Sequence, residues 1–92
     1  MATEKNIENK IKSYLRDELG AYVVKYHGSK FSQAGVPDIL VCHMGRFIGI
    51  EVKAPGEQPT ELQKWNIKRI NETGGMAFVA ESLEQVKEHM RG

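Results

Sequence analysis

The chain has 92 residues, 40% hydrophobic and 27% charged, with 13 basic against 12 acidic side chains and a formal net charge of +1. That length holds one domain at most, residues 1–92, and buries only about two-thirds of the surface that the unfolded chain exposes. The balance excludes a disordered chain, which needs fewer large apolar residues and more net charge, and a protein that coats nucleic acid by charge alone. A locally basic face, or a site that brings its own metal cations, remains open.

Residues 3–19 read as a helix. Ile7, Ile11, Leu15 and Leu19 recur at helical period as one apolar stripe. Thr3 can cap its start and Gly20 stop it. Glu8 lies beside the stripe, not on the opposite solvated face. Residues 21–26, aromatic and β-branched, read as a strand. Residues 27–36 read as a loop bearing the polar donors His27, Lys30 and Gln33.

Residues 37–43 and 46–53 read as short strands joined at Met44-Gly45, a pair suited to a tight hairpin. A loop with two prolines follows at 54–59. Thr60 can cap a helix running to Glu72, with Leu62, Trp65, Ile67 and Ile70 as its apolar contacts, and Gly74-Gly75 ends it. Residues 76–80 read as another strand. Ser82 to Gln85 fits a capping box before a last helix to Met90. The order α-β-β-β-α-β-α implies a mixed sheet with covering helices.

The hairpin carries the chemistry. If Met44 and Gly45 form the turn, His43 faces Arg46 and Asp38 faces Glu51. Facing residues have Cβ atoms about 4.5–5.5 Å apart. Alternation puts Lys53 on the same face as Glu51, one step along. The residues between are apolar on both faces, as in strands covered on both faces. Two opposed carboxylates repel, and one pKa rises unless a cation intervenes. A hard divalent cation takes oxygen ligands, polarises a phosphodiester and lowers the pKa of bound water. Lys53 can position or deprotonate that water or stabilise charge on phosphorus. Glu8 can add a carboxylate for metal or water. The plainer reading is a pair of surface strand-end charges, with Lys53 pairing one of them.

Gly35-Val36-Pro37-Asp38, followed thirteen positions on by Glu51-Val52-Lys53, resembles the PD-(D/E)XK nucleases. The Gly-Val-Pro-Asp form, Thr60-Glu61-Leu62-Gln63 and Gly74-Gly75 resemble one branch, the VRR-NUC (virus-type replication-repair nuclease) domain in its stand-alone phage and prophage form, over about residues 4–86. The resemblance implies a restriction-endonuclease-like αβββαβ core, a mixed central sheet flanked by helices, plus a C-terminal helix. It implies that Asp38, Glu51 and the Val52 carbonyl hold Mg²⁺ or Mn²⁺ and that Lys53 is the catalytic lysine. Gln63 matches a glutamine that lines the site; a solvated helix residue is the alternative. Glu8 matches the first-helix acid of archaeal Holliday-junction resolvases, with Glu4 its rival and an exposed helix acid the alternative for both.

His27, Ser29, Lys30 and Ser32 can touch DNA phosphates, or simply be solvated. So can Lys64, Lys68 and Arg69 on the second helix. His43 reads as exposed, Trp65 and Phe78 as core, and Cys42 as a small buried hydrophobe. One cysteine makes no intrachain disulfide, and with three scattered histidines gives no zinc spacing, which fits a reducing compartment. The polar start and the lack of an apolar run near ~18 residues give no secretory signal and no membrane span.

The expected function is a metal-dependent endonuclease that resolves Holliday junctions or other branched DNA as a homodimer, in the cytoplasm of a phage-bearing bacterial host and without organic cofactor. Two symmetric cuts suit a C2 dimer, and exposed Tyr22, Phe47 or Met44 would mark its contact. The alternatives are a nicking, flap-cutting or weakly specific nuclease and, in another class, a non-catalytic nucleic-acid-binding α/β module. The last would show a clearer basic stripe.

Overall fold

The structure is a computed structural model that describes residues 3–92; Met1 and Ala2, part of the polar start, lie outside the described residues. Helix α1 spans Glu4–Ser13, and the Thr3 side chain accepts the Asn6 N–H at 3.1 Å, satisfying one of the donors a helix start leaves open. The expected single helix to residue 19 is not regular. Tyr14–Glu18 form a π-helical turn, sealed by the Leu19 N–H on the Tyr14 carbonyl. The extra residue per turn rotates the stripe, so Ile7, Ile11 and Leu15 are buried while Leu19 is only half-buried.

The sheet has order β1-β2-β3-β4, with β1 Tyr22–Lys25, β2 Ile39–His43, β3 Arg46–Val52 and β4 Met76–Ala80. The first two pairings are antiparallel, and β3 runs parallel to β4. His43 pairs with Arg46 and Ile39 with Ile50, the register that the two-residue turn demands. Met44 and Gly45 both have positive φ, 55° and 76°, as type I′ hairpins need.

Helix α2, Glu61–Glu72, makes the crossover between the parallel strands, and α3, Leu83–Arg91, closes the chain. Thr60 and Gln63 form a reciprocal capping box. The expected box at Ser82 is half made. Ser82 accepts the Gln85 N–H, but the Gln85 amide oxygen takes the Glu81 N–H, one residue further back.

Ile7 and Ile11 from α1, Leu15 from the π-turn and Val86 from α3 pack on Val23, Ile39, Val41, Ile48, Ile50, Val52, Phe78 and Ala80. Alternation turns Gly49 and Glu51 the other way, toward α2. That opposite face is covered only in part. A helix about 10–12 Å across spans about two strands at about 4.8 Å, and α2 lies over β3 and β4. Cys42 is therefore exposed rather than buried, Leu62 and Trp65 stand about half in solvent rather than in the core, and His43 is half-buried. Phe78 is core as expected, with the His89 ring stacked on it.

Gly35 ties the long loop to α2. At φ +82° its backbone is left-handed, and a Cβ there would lie 2.7 Å from both Leu62 Cγ and Asn66 Nδ2. Gly35→Ala is expected to destabilise the fold by about 2–4 kcal/mol, from steric overlap plus strain. The midpoint of chemical denaturation measures it.

Candidate active site

The site gathers where the loop ends, the β3 terminus and the α2 cap converge. Asp38 immediately precedes β2. Its Oδ2 accepts the Val52 N–H at 2.8 Å, so the aspartate is fixed to the β3 backbone rather than free at a strand end. Extending the β2–β3 register by one residue sets it opposite Glu51. Glu51 is buried on β3 at 3% exposure. Burial and the nearby Asp38 charge push its carboxyl up to about 8, against a weaker opposing pull from Lys53.

Two groups address Glu51. Lys53 Nζ lies 3.8 Å from Oε2, and the Lys53 main-chain N–H is anchored to the Ala80 carbonyl at 3.0 Å. Gln63 Nε2 donates to the same Oε2 at 3.2 Å, while its Oε1 accepts the Thr60 N–H at 2.8 Å. The helix cap therefore sets which end of the amide faces the carboxylate. Glu51 Oε1 is buried without any hydrogen-bond partner. An orphaned carboxylate oxygen is costly unless a cation or proton meets it.

A second charged chain leads in from α1. Glu8 is buried, its Oε1 accepting from Lys25 Nζ at 2.9 Å and its Oε2 paired with Lys12 at 3.1 Å. Burial alone would raise the Glu8 carboxyl, but the two ammonium groups outweigh it and hold it low. Lys25 reaches on to Asp38 Oδ1 at 3.7 Å, and the two carboxylates raise its pKa over the opposing effect of burial. Glu4 is exposed at the mouth. Partial burial and the Glu57 and Asp38 carboxylates raise it, while Lys53 opposes them. Both acids of the first helix thus turn toward the site, Glu8 through Lys25 and Glu4 through its own charge.

The sequence reading missed Lys25. Its signal is the β1–β2 register, which pairs Lys25 with Ile39, the neighbour of Asp38. Lys25→Met is expected to cost about 1–3 kcal/mol, because it leaves the buried Glu8 carboxylate with Lys12 alone. In a double-mutant cycle read by denaturant unfolding, Glu8→Gln should recover part of that loss.

The other candidates lie outside this cluster. His27, Ser29 and Lys30 are exposed on the loop and Ser32 is half-buried there. The Ser29 and Ser32 hydroxyls face each other at 3.1 Å. Lys64 is paired with Glu61 and Arg69 with Glu72 along α2, and Lys68 is exposed. Among the described residues, no three Asp, Glu, His or Cys side chains converge as a metal-holding group. Among the described residues, no helix is long and apolar enough to cross a membrane.

The hairpin thus ends in opposed carboxylates with a lysine beside them. The profile of the family Hjc, archaeal Holliday junction resolvase, matches residues 2–90. The chain belongs to that family. Two solved structures are similar to it. One, a VRR_NUC domain protein, has a TM-score of 0.79 at 21% identity, over 98% of this chain and 86% of that one. The other, a VRR_NUC domain, has a TM-score of 0.72 at 28% identity, over 98% and 97%. No curated protein matches the chain.

Proposed function

We propose that residues 1–92 form one domain, a divalent-metal-dependent endonuclease that hydrolyses phosphodiester bonds in branched DNA and works as a homodimer. The observation that carries this reading is Asp38 opposite the buried Glu51, with Lys53 3.8 Å from the Glu51 carboxylate. The family match supports the junction as substrate.

The donor set fits a hard cation. It offers two carboxylates of raised mutual repulsion, one buried orphan oxygen and no thiol or imidazole. Asp38, Glu51 and the Val52 carbonyl would hold Mg²⁺ or Mn²⁺. Such an ion, when bound, polarises the phosphodiester and activates water.

The chain's own groups do the rest. Val52 N–H and Gln63 Nε2 hold the two carboxylates in place. Lys53 brings a positive charge to the face where the phosphorane develops and can hold or pass the proton of the attacking water. Glu8 restrains Lys25 beside Asp38, so that side chain keeps a fixed charge at the entry. His27, Ser29, Lys30, Ser32, Lys64 and Lys68 would meet phosphates at the periphery. The uncovered sheet face with Tyr22, Val24 and Phe47 supports a second copy as partner.

The test is cleavage of a labelled four-way junction, a linear duplex and a flap, with Mg²⁺, Mn²⁺ or EDTA, beside Asp38→Ala. Paired symmetric cuts on the junction, lost in EDTA and in the variant, are expected. Metal-dependent cutting without junction preference would leave a flap or nicking nuclease. No cutting, and no metal-induced rise in melting temperature, would leave a binding module.

A further inference from the structure

Phe31 stands at the tip of the loop between β1 and β2 with 89% of its surface in solvent. Its loop is built to hold it there. Ser29 Oγ accepts the Phe31 N–H at 3.2 Å, and the Ser32 N–H donates to the Ser29 carbonyl at 3.0 Å. Tyr26 Oη donates to the Gln33 carbonyl at 2.9 Å, and Asn66 Nδ2 reaches the Ala34 carbonyl at 3.4 Å. The Lys30 ammonium lies 5.1 Å from the ring centroid. The remaining neighbours in sequence are Ser29, Ser32 and Gln33, so the ring is a single apolar plane on a polar, cationic tip rather than the rim of an apolar patch.

The two ends of this loop carry the site. It leaves β1 directly after Lys25 and returns at Asp38, and the Tyr26 N–H donates to the Asp38 carbonyl at 2.8 Å. Seven residues of extended chain span at most about 25 Å, so the ring lies within about one duplex turn of Asp38. The ring is thus within reach of DNA docked at the site. Continuous duplex offers the ring only sugars, phosphates and groove edges. An unstacked base at a branch offers a flat apolar face, and every base has one.

We infer that Phe31 stacks on an unpaired or splayed base at a branch point and so selects branched over continuous DNA, with Lys30 bound to the adjoining phosphate. The inference rests on the endonuclease reading and names what makes that site structure-selective. Phe31 is a specificity residue that reads the geometry of the strand rather than its sequence.

The full chain and its Phe31→Ala, Phe31→Leu and Phe31→Trp variants are compared in two measurements. The first is the ratio of junction to linear-duplex kcat/KM in Mg²⁺. The second is fluorescence of 2-aminopurine placed at the branch, titrated with protein in EDTA so that binding is read without cleavage. Alanine and leucine should lower the ratio by about tenfold, within the range that stacking one base supplies. Tryptophan should retain it, and only the aromatic chains should quench the probe.

An unchanged ratio in alanine, or leucine matching tryptophan, would overturn the inference, since a flat ring would then be unnecessary. A change from dimer to monomer in Phe31→Ala on sedimentation would overturn it too, assigning the ring to a protein contact. A wild-type chain that cuts neither DNA yet quenches the probe through Phe31 would sink the endonuclease reading and leave the stacking role standing.

Discussion

Lys53→Met is expected to lower cleavage of junction DNA by about two to three orders of magnitude, the loss that follows removal of one preorganised group facing a developing oxyanion. The lysine is well placed for that work. Its main chain is pinned to β4 through Ala80, and its side chain is largely buried against Glu51. Methionine preserves the length and apolar stem and removes the charge alone. A weaker role is separable from a catalytic one. If Lys53 only eases ionisation of Glu51, its loss raises that carboxyl further, the pH–rate profile moves to higher pH, and the plateau is recovered there. If Lys53 faces the reacting phosphate, the plateau itself falls. Lys53→Arg should not restore it, since a broad planar fork does not replace a compact ammonium. Full activity of Lys53→Met at any pH would remove Lys53 from the reaction.

Much of this site was legible because it lies on a hairpin. A two-residue turn fixes the register, and the pairing of His43 with Arg46 carries through to Ile39 with Ile50, leaving Asp38 and Glu51 opposed. Gln63 was legible as part of the family pattern, but its cap role was not, because one side chain serves both Thr60 and Glu51. Lys25 was hidden by distance: its partner Glu8 is seventeen residues away and meets it only once the first helix packs on the sheet. Trp65 and Cys42 show where periodicity misleads. Apolar spacing marks the faces of an element but not how wide the covering helix is, and α2 leaves the face of β1 and β2 bare. The π-turn was illegible for the opposite reason: the stripe runs unbroken through residues whose hydrogen bonds slip by one.

The metal-free protein is expected to lose stability as pH rises from about 5 to about 8, with Glu51 contributing at most about 1.4 kcal/mol per pH unit. The sign follows from Glu51. Its folded pKa of about 8 stands above the ordinary 4.5 because burial and Asp38 disfavour the charge. Between those values the folded chain holds a proton that the unfolded chain has released, so each step up in pH favours unfolding. Glu4, also raised, adds in the same direction. Glu8 does not oppose it. Its folded pKa is lowered, so its contribution is complete above 4.5 and constant through this window. Lys25 is raised above 10.5 and is likewise constant there. Glu51→Gln keeps the shape and removes the titration, so its melting temperature should vary less over the same range and exceed that of the wild type at about pH 8. One kcal/mol corresponds to about 4–8 °C in a domain of this size. Mg²⁺ or Mn²⁺ at about pH 8 should raise the wild-type melting temperature more than that of Glu51→Gln, because the ion takes the place of the missing proton. A wild-type melting temperature that is flat or rising across the window would mean that Glu51 ionises in the fold without a cation, and the case for a metal between Asp38 and Glu51 would lose its electrostatic basis.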